Sequence, residues 1–321
     1  MRPLRGRLIA ACCVAFSAAC LGAEHGKVRF AVIGDYGAND GAEKEVARMV
    51  RDWKPDFIIT VGDNSYVDAE KQKNGFELGV VDYFGAFIKS PKDDPLGEET
   101  KFFPSLGNHD YESDGSGVDP KRLPQYEQTF AVPAGEGGVH YYEFARGPVH
   151  FFALDSNVNA AWSGASTKSK QYAWWKKAAK AATERWKIVY FHHTPYDSGN
   201  HHRFDRHMRA WGFERSGVTA VLAGHEHIYE RVMINGVPFF TTGIGGRHLH
   251  GFLWPYVKGS QVRYPHGGTT PEDKRFGAMV VEASATSITF EEWNVAHELI
   301  DRWPANAPAI DLPKETLPPA Q

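Results

Sequence analysis

Thr60-Val61-Gly62-Asp63-Asn64-Ser65-Tyr66 follows directly on the apolar run Phe57-Ile58-Ile59. The run reads as a buried β-strand. Gly62 breaks it, so Asp63 is expected at the strand's carboxyl end, the edge at which open α/β sheets bind ligands. A carboxylate held there can bridge two cations. Tyr66, three residues on, can turn back toward the same place.

The same grammar recurs outward from this stretch. Lys27 to Ile33 reads as a first strand, ended by Gly34-Asp35-Tyr36-Gly37. A helix is expected from about Gly41, with Val46, Met49, Val50 and Trp53 at helical spacing and Pro55 as its stop. Tyr83, Phe84 and Phe87 fit a further helix. Lys101 to Leu106 leads into Gly107-Asn108-His109-Asp110-Tyr111, and the polar stretch Glu112 to Pro124 reads as a surface loop. His140 to Phe144 and Val149 to Leu154 form a predicted hairpin about Ala145-Arg146-Gly147-Pro148. Thr167 to Thr183 is a predicted helix, and Trp186 to Phe191 is a strand running into His192-His193-Thr194-Pro195. Arg203 to Phe213 is expected to be helical. Val218 to Ala223 is a strand ending at Gly224-His225-Glu226-His227. Val237 to Thr242, Ala278 to Ala283 and Ser287 to Glu292 complete the predicted strands. Strands alternating with helices and then a strand-rich end predict a layered α/β sandwich.

Five predicted strand ends carry metal-type donors: Asp35, Asp63 with Tyr66, Asn108 with His109, His193, and His225 with His227. The repetition is the signal, since any one group alone would be weak. Oxygen donors from Asp, Asn and Tyr suit hard or borderline cations, and imidazoles suit Zn, Fe, Mn or Cu. Two such ions held a few ångströms apart by a bridging carboxylate can clamp both the attacking and the leaving oxygen of a phosphoryl group.

In order, Gly34-Asp35-Tyr36-Gly37, Gly62-Asp63-Asn64-Ser65-Tyr66, Gly107-Asn108-His109-Asp110, His193-Thr194-Pro195 and Gly224-His225-Glu226-His227 resemble the five motifs of purple acid phosphatases. These belong to the calcineurin-like metallophosphoesterase superfamily. The resemblance runs from about Val28 to Gly246. Gly37 stands where most other members have a histidine ligand, and Tyr66 stands where the purple branch places its tyrosine. The resemblance implies a four-layer α/β/β/α (α+β) sandwich with its metal site at the strand carboxyl ends. It implies Fe(III) held by Asp35, Asp63, Tyr66 and His227, and a divalent Fe(II), Zn or Mn held by Asp63, Asn108, His193 and His225. For the histidine after the 186–191 strand, Val189-x-x-His selects His192, whereas the x-Pro that follows the family ligand selects His193. We take His193 from the resemblance, with His192 as the alternative in a neighbouring role. The resemblance further implies that His109 faces the phosphate, that His202 protonates the leaving alcohol, and that His201 contacts the phosphate. Asp110 is a candidate to orient a ligand imidazole; Asp155 could do the same but reads first as a strand-end turn aspartate.

The implied activity is hydrolysis of phosphate monoesters, on small-molecule or protein substrates. The alternatives are a phosphodiesterase or nucleotide pyrophosphatase of the same superfamily and, from another class, a metal-dependent binding protein without turnover. The net charge of −3 gives no basic footprint for nucleic acid. Arg2, Arg5 and Arg7 precede an apolar run from Leu8 to Leu21 that falls short of the ~20 residues a bilayer span needs. Residues 1–23 therefore read as a signal peptide, giving a secreted or periplasmic protein of mature charge about −6. Lipoprotein anchoring through Cys20 fits poorly, because Ser17 stands where a larger aliphatic residue is usual. Cys12, Cys13 and Cys20 all lie in this segment, so no disulfide and no cysteine ligand is expected in residues 27–300, the expected catalytic domain. Residues 301–321 read as a Pro-rich tail. With no room for a long β-domain before Val28, the chain reads as the small, single-domain type.

Overall fold

The computed structural model describes residues 26–67, 76–111, 122–157, 165–201, 206–265 and 274–313. The expected signal segment and His202 lie outside the described residues, as does most of the 112–124 loop.

Two sheets stack face to face. The first has strand order β13-β12-β11-β1-β2-β3, built from β1 (Val28–Ile33), β2 (Phe57–Thr60), β3 (Phe102–Pro104), β11 (Gly277–Ala283), β12 (Ile288–Asn294) and β13 (Leu299–Trp303). The second has order β10-β8-β9-β7-β6-β5-β4, built from β4 (Tyr142–Arg146), β5 (Val149–Ala153), β6 (Trp186–His193), β7 (Ala220–Gly224), β8 (Tyr229–Ile234), β9 (Val237–Thr242) and β10 (Ser260–Tyr264). β1, β2 and β3 run parallel to one another, as do β5, β6, β7 and β9. The sheets meet through aromatic side chains. Phe151 packs edge-on against Phe30 and Phe57 at ring-centroid distances of 5.1 and 5.5 Å, and Phe144 stacks on Phe103 at 4.0 Å.

Helices cover the outer faces. In α1 (Gly41–Asp52) the buried Val46, Met49 and Val50 lie on one face, and the Asp40 side chain caps its amino end by accepting from the Ala42 and Glu43 amides. α4 (Lys170–Ala181) is capped by Ser169 and buries Trp175 against Trp211 and Phe213 on the far side of the second sheet. The shorter helices are α2 (Asp82–Phe84), α3 (Arg122–Thr129) and α5 (Arg206–Arg209). This is the expected four-layer α/β/β/α arrangement.

The differences from expectation have physical causes. β6 runs on to His193, past the expected end at Phe191, because its last residues still pair with β7. The helix expected over 203–213 is described only as the single turn α5 and a 3-10 turn at Phe213–Arg215. The boundary of the expected tail at 301 falls inside β13, which pairs antiparallel with β12. Beyond it, the buried Ile310 donates its amide to Glu291 at 3.0 Å. Ion pairs to buried carboxylates hold this edge, Arg302–Glu291 and Arg231–Asp301, each at 2.6 Å.

Candidate metal centre

The parallel strands of both sheets deliver their carboxyl ends to one place. Asp35 follows β1, Asp63 follows β2, Asn108 follows β3, His192 and His193 close β6, and His225 follows β7. Asp35, Asp63 and His225 each come after a glycine, and each has a left-handed backbone, with φ of 55°, 51° and 71°. Such a residue costs about 1–3 kcal/mol and persists only where its surroundings over-determine it. Three in a row at strand ends turn three donor side chains inward. The glycines make room for that turn. At Gly62, itself at φ 90°, an added Cβ would lie 2.6 Å from the His192 ring, and at Gly107 it would collide with the Asp63 backbone amide.

The donors form two groups of four that share Asp63. In the first, the Tyr66 hydroxyl lies 3.0 Å from Asp63 Oδ2, 3.3 Å from Asp35 Oδ1 and 3.2 Å from His227 Nε2, and His227 Nε2 lies 3.4 Å from Asp35. In the second, His192 Nε2 lies 3.3 Å from Asp63 Oδ1, 3.0 Å from Asn108 Oδ1 and 3.1 Å from His225 Nδ1, and His225 Nδ1 lies 3.1 Å from Asn108. One oxygen of Asp63 therefore faces each group. Cations with ligand bonds of about 2.0–2.2 Å have neighbouring donors roughly 3.0–3.5 Å apart, and every spacing above falls in that range. Asp35, Asp63 and His227 also stand out as one cluster able to hold an ion.

The electrostatics point the same way. Burial pushes the Tyr66 hydroxyl well above its usual range, and the Asp63 and Asp35 carboxylates push it further. Only a cation in the first group would make it a phenolate donor. In the second group, burial disfavours a charged His192, but Asp63 overrides that and brings the ring up to about 9. Asp63 itself stays well below its usual range against burial, because His192 stands beside it. A proton on His192 thus does, without metal, what a cation would do. Backbone carbonyls set the ring orientations: His192 Nδ1 meets Val61 O at 2.9 Å, and His227 Nδ1 meets His248 O at 2.7 Å.

The structure brings His192 against Asp63, Asn108 and His225. The cause is strand alternation. His192 points between the sheets, fully buried, while His193 points to the other face of β6. There its Nδ1 meets Ser156 Oγ at 2.8 Å, and its ring stands 4.4 Å from that of His225. Asp110 also takes a different part from the one expected. It accepts from the Asn64 and Gly107 amides at 3.0 and 2.7 Å, so it braces the second and third loops against each other. Burial and Asp63 raise it to about 7. Asp155 accepts from Tyr111 at 2.6 Å and from Asn157.

His109 donates its amide to Asp63 Oδ1 at 2.9 Å, and its ring lies 4.6 Å from that of Tyr66. His201 is exposed and leans on His250, ring to ring at 4.5 Å. The loop after β9 brings residues the sequence reading passed over. The Arg247 guanidinium sits 4.6 Å over the Tyr66 ring, His250 stacks on His227 at 4.2 Å, and His248 stands 5.2 Å from His227. The signal was available: His248-Leu249-His250 repeats the spacing of His225-Glu226-His227 after another strand end.

A profile of calcineurin-like phosphoesterases matches residues 28–229. Purple acid phosphatase 23 of Arabidopsis thaliana is 30% identical over 229 residues, covering 64% of this chain and 47% of that protein. Tartrate-resistant acid phosphatase type 5 of Homo sapiens is 26% identical, covering 82% of this chain and 86% of its own. The solved structure of a purple acid phosphatase from yellow lupin (Lupinus luteus) seeds superposes with a TM-score of 0.64 at 18% identity, over 86% of this chain and 53% of that one. The chain spans about half the length of that Arabidopsis protein and of the lupin one.

Proposed function

Because the chain belongs to the calcineurin-like phosphoesterase family, we propose that it is a dinuclear metallohydrolase of phosphate monoesters. The observation that carries this reading is Asp63, buried, with one carboxylate oxygen facing each of two four-donor groups. In the first group Asp35, Asp63, Tyr66 and His227 would hold Fe(III). In the second Asp63, Asn108, His192 and His225 would hold Fe(II), Zn or Mn. When bound, the pair supplies Lewis acidity toward the phosphoryl oxygens and a water of lowered pKa as nucleophile.

The chain's own residues do the rest. Asp63 fixes the separation of the two groups. The carbonyls of Val61 and His248 hold His192 and His227 in the tautomers that offer Nε2 to the centre. His109, half-buried beside Asp63, would donate to a phosphoryl oxygen. His202 is proposed to protonate the leaving alcohol, since an alkoxide leaves poorly. Arg247 beside Tyr66 adds a permanent positive charge at the centre. That charge favours the dianion of a monoester over the monoanion of a diester. Export by the amino-terminal segment is part of the same reading. Among the described residues, no helix is long and apolar enough to cross a membrane.

Parallel assays with an aryl phosphate and a bis(aryl) phosphate test the substrate class. The monoester should be turned over with the higher kcat/KM, and the reverse preference would reassign the protein to diesters. The first metal has its own test. Purified aerobically, the protein should show a broad visible absorption band that Tyr66→Phe abolishes, the mark of tyrosinate-to-Fe(III) charge transfer. A colourless yet active protein would leave the hydrolase standing and remove iron from the first group.

A further inference from the structure

The backbone that carries Tyr66 is held on both sides by one side chain that the proposed mechanism does not use. Arg122, the first residue of α3, is only 1% exposed. Its Nη1 donates to the Val67 carbonyl at 2.6 Å, and its Nη2 donates to the Ser65 carbonyl. These residues flank Tyr66. The guanidinium also lies over the Phe76 ring, 5.6 Å from its centre. A buried guanidinium is costly to desolvate, and the Arg122 Nε is buried without a partner. An apolar side chain would serve packing alone at least as well.

Tyr66 needs such a brace. Its hydroxyl meets Asp63, Asp35 and His227 together, yet it stands three residues beyond Asp63, on a loop. Its amide donates to Gly37 O at 2.7 Å. Gly37 and Arg122 therefore hold the peptide unit before Tyr66 at both its N–H and its C=O, and Arg122 holds the chain again one residue after it. On the other side of Ser65, Asn64 is clamped by Asp110 at 3.0 and 2.8 Å. The planar fork of a guanidinium can hold two carbonyls in one fixed geometry, which the single ammonium of a lysine does not.

We propose that Arg122 is a positioning residue, fixing the backbone about Tyr66 so that the hydroxyl stands ready for the cation of the first group. The inference rests on Tyr66 being a metal donor, as proposed above. Arg122 acts through Tyr66, and the two should behave as one unit.

The test is a double-mutant cycle on the full-length protein. Loss of the ions bound on purification is followed by elemental mass spectrometry during challenge with EDTA. Tyr66→Phe should weaken retention of the first ion. Arg122→Met should weaken it by about 10- to 100-fold, the range typical of a partner that orients a ligand. The doubly substituted protein should hold its metal no less tightly than Tyr66→Phe alone, because both changes act on one donor. Arg122→Lys keeps the charge and reaches one carbonyl at a time, so it serves where Arg122→Met fails to fold. It too should lose metal faster than the unaltered protein, with no further effect on top of Tyr66→Phe. Effects that multiply in the double variants overturn the proposal, since Arg122 would then support the fold without regard to Tyr66. Unchanged retention in both Arg122 variants also overturns it. If Tyr66→Phe itself changes nothing, Tyr66 is no donor; that reading falls first and takes this inference with it.

Discussion

Asp63→Ala should eliminate phosphate ester turnover. Removing a single preorganised donor to a developing charge typically costs about 10^2–10^3 in rate. Asp63 does more than one donor's work, since its Oδ1 faces His192 and its Oδ2 faces Tyr66. Its loss opens both groups at once, so the fall should exceed about 10^3-fold. Alanine has a second effect that must be kept apart. Asp63 sits at φ 51°, a conformation that aspartate tolerates better than alanine does. Asp63→Asn is the control, because asparagine also tolerates the left-handed region and keeps the shape while losing the charge. Both variants should be inactive, with only the alanine form losing thermal stability noticeably. Steady-state assays at matched metal content and a melting curve for each decide it. Wild-type turnover in Asp63→Asn would mean that the carboxylate does not bridge.

Most of the fold could be read because its strands are short, apolar and closed by glycine. Phe57 to Val61 and Val237 to Thr242 are fully apolar or nearly so, as strands buried between layers must be. What escaped were the sheet margins. β8, with Tyr229, Glu230 and Arg231, mixes charges into a strand because those charges are paired there: Glu230 with Ser198 and Ser260, and Arg231 with Asp301. β13 is a five-residue edge strand that ends at a proline. No local pattern announces pairings that distant in sequence. The site shows the same division. Asp35, Asp63, Tyr66, Asn108, His225 and His227 were legible because each donor follows a strand and carries a motif around it. His250 and Arg247 were not, because their roles arise from contacts with Glu226 and Tyr66 that only the folded loops create. For His192 and His193 the sequence offers two rules that disagree, and the pleat of β6 turns the two rings to opposite faces.

That difference makes the second large prediction. His192→Ala should lose activity by more than about 10^3-fold, whereas His193→Ala should lose no more than the 10- to 100-fold typical of a supporting residue. His192 reaches three other members of the second group, Asp63, Asn108 and His225. Its removal leaves those donors facing a hole. His193 instead bonds Ser156 and stands beside the His225 ring, so its loss loosens a ligand without deleting one. Metal content gives a readout that a purely structural defect would not reproduce. His192→Ala should bind one equivalent less of the divalent ion and keep the visible band of the first group, because Asp35, Tyr66 and His227 are untouched. His193→Ala should keep both ions, with weakened affinity for the second. The opposite ordering would put His193 in the second group, and β6 would then have to turn its last residue inward at the point where its pairing with β7 shifts register between Tyr190 and His193.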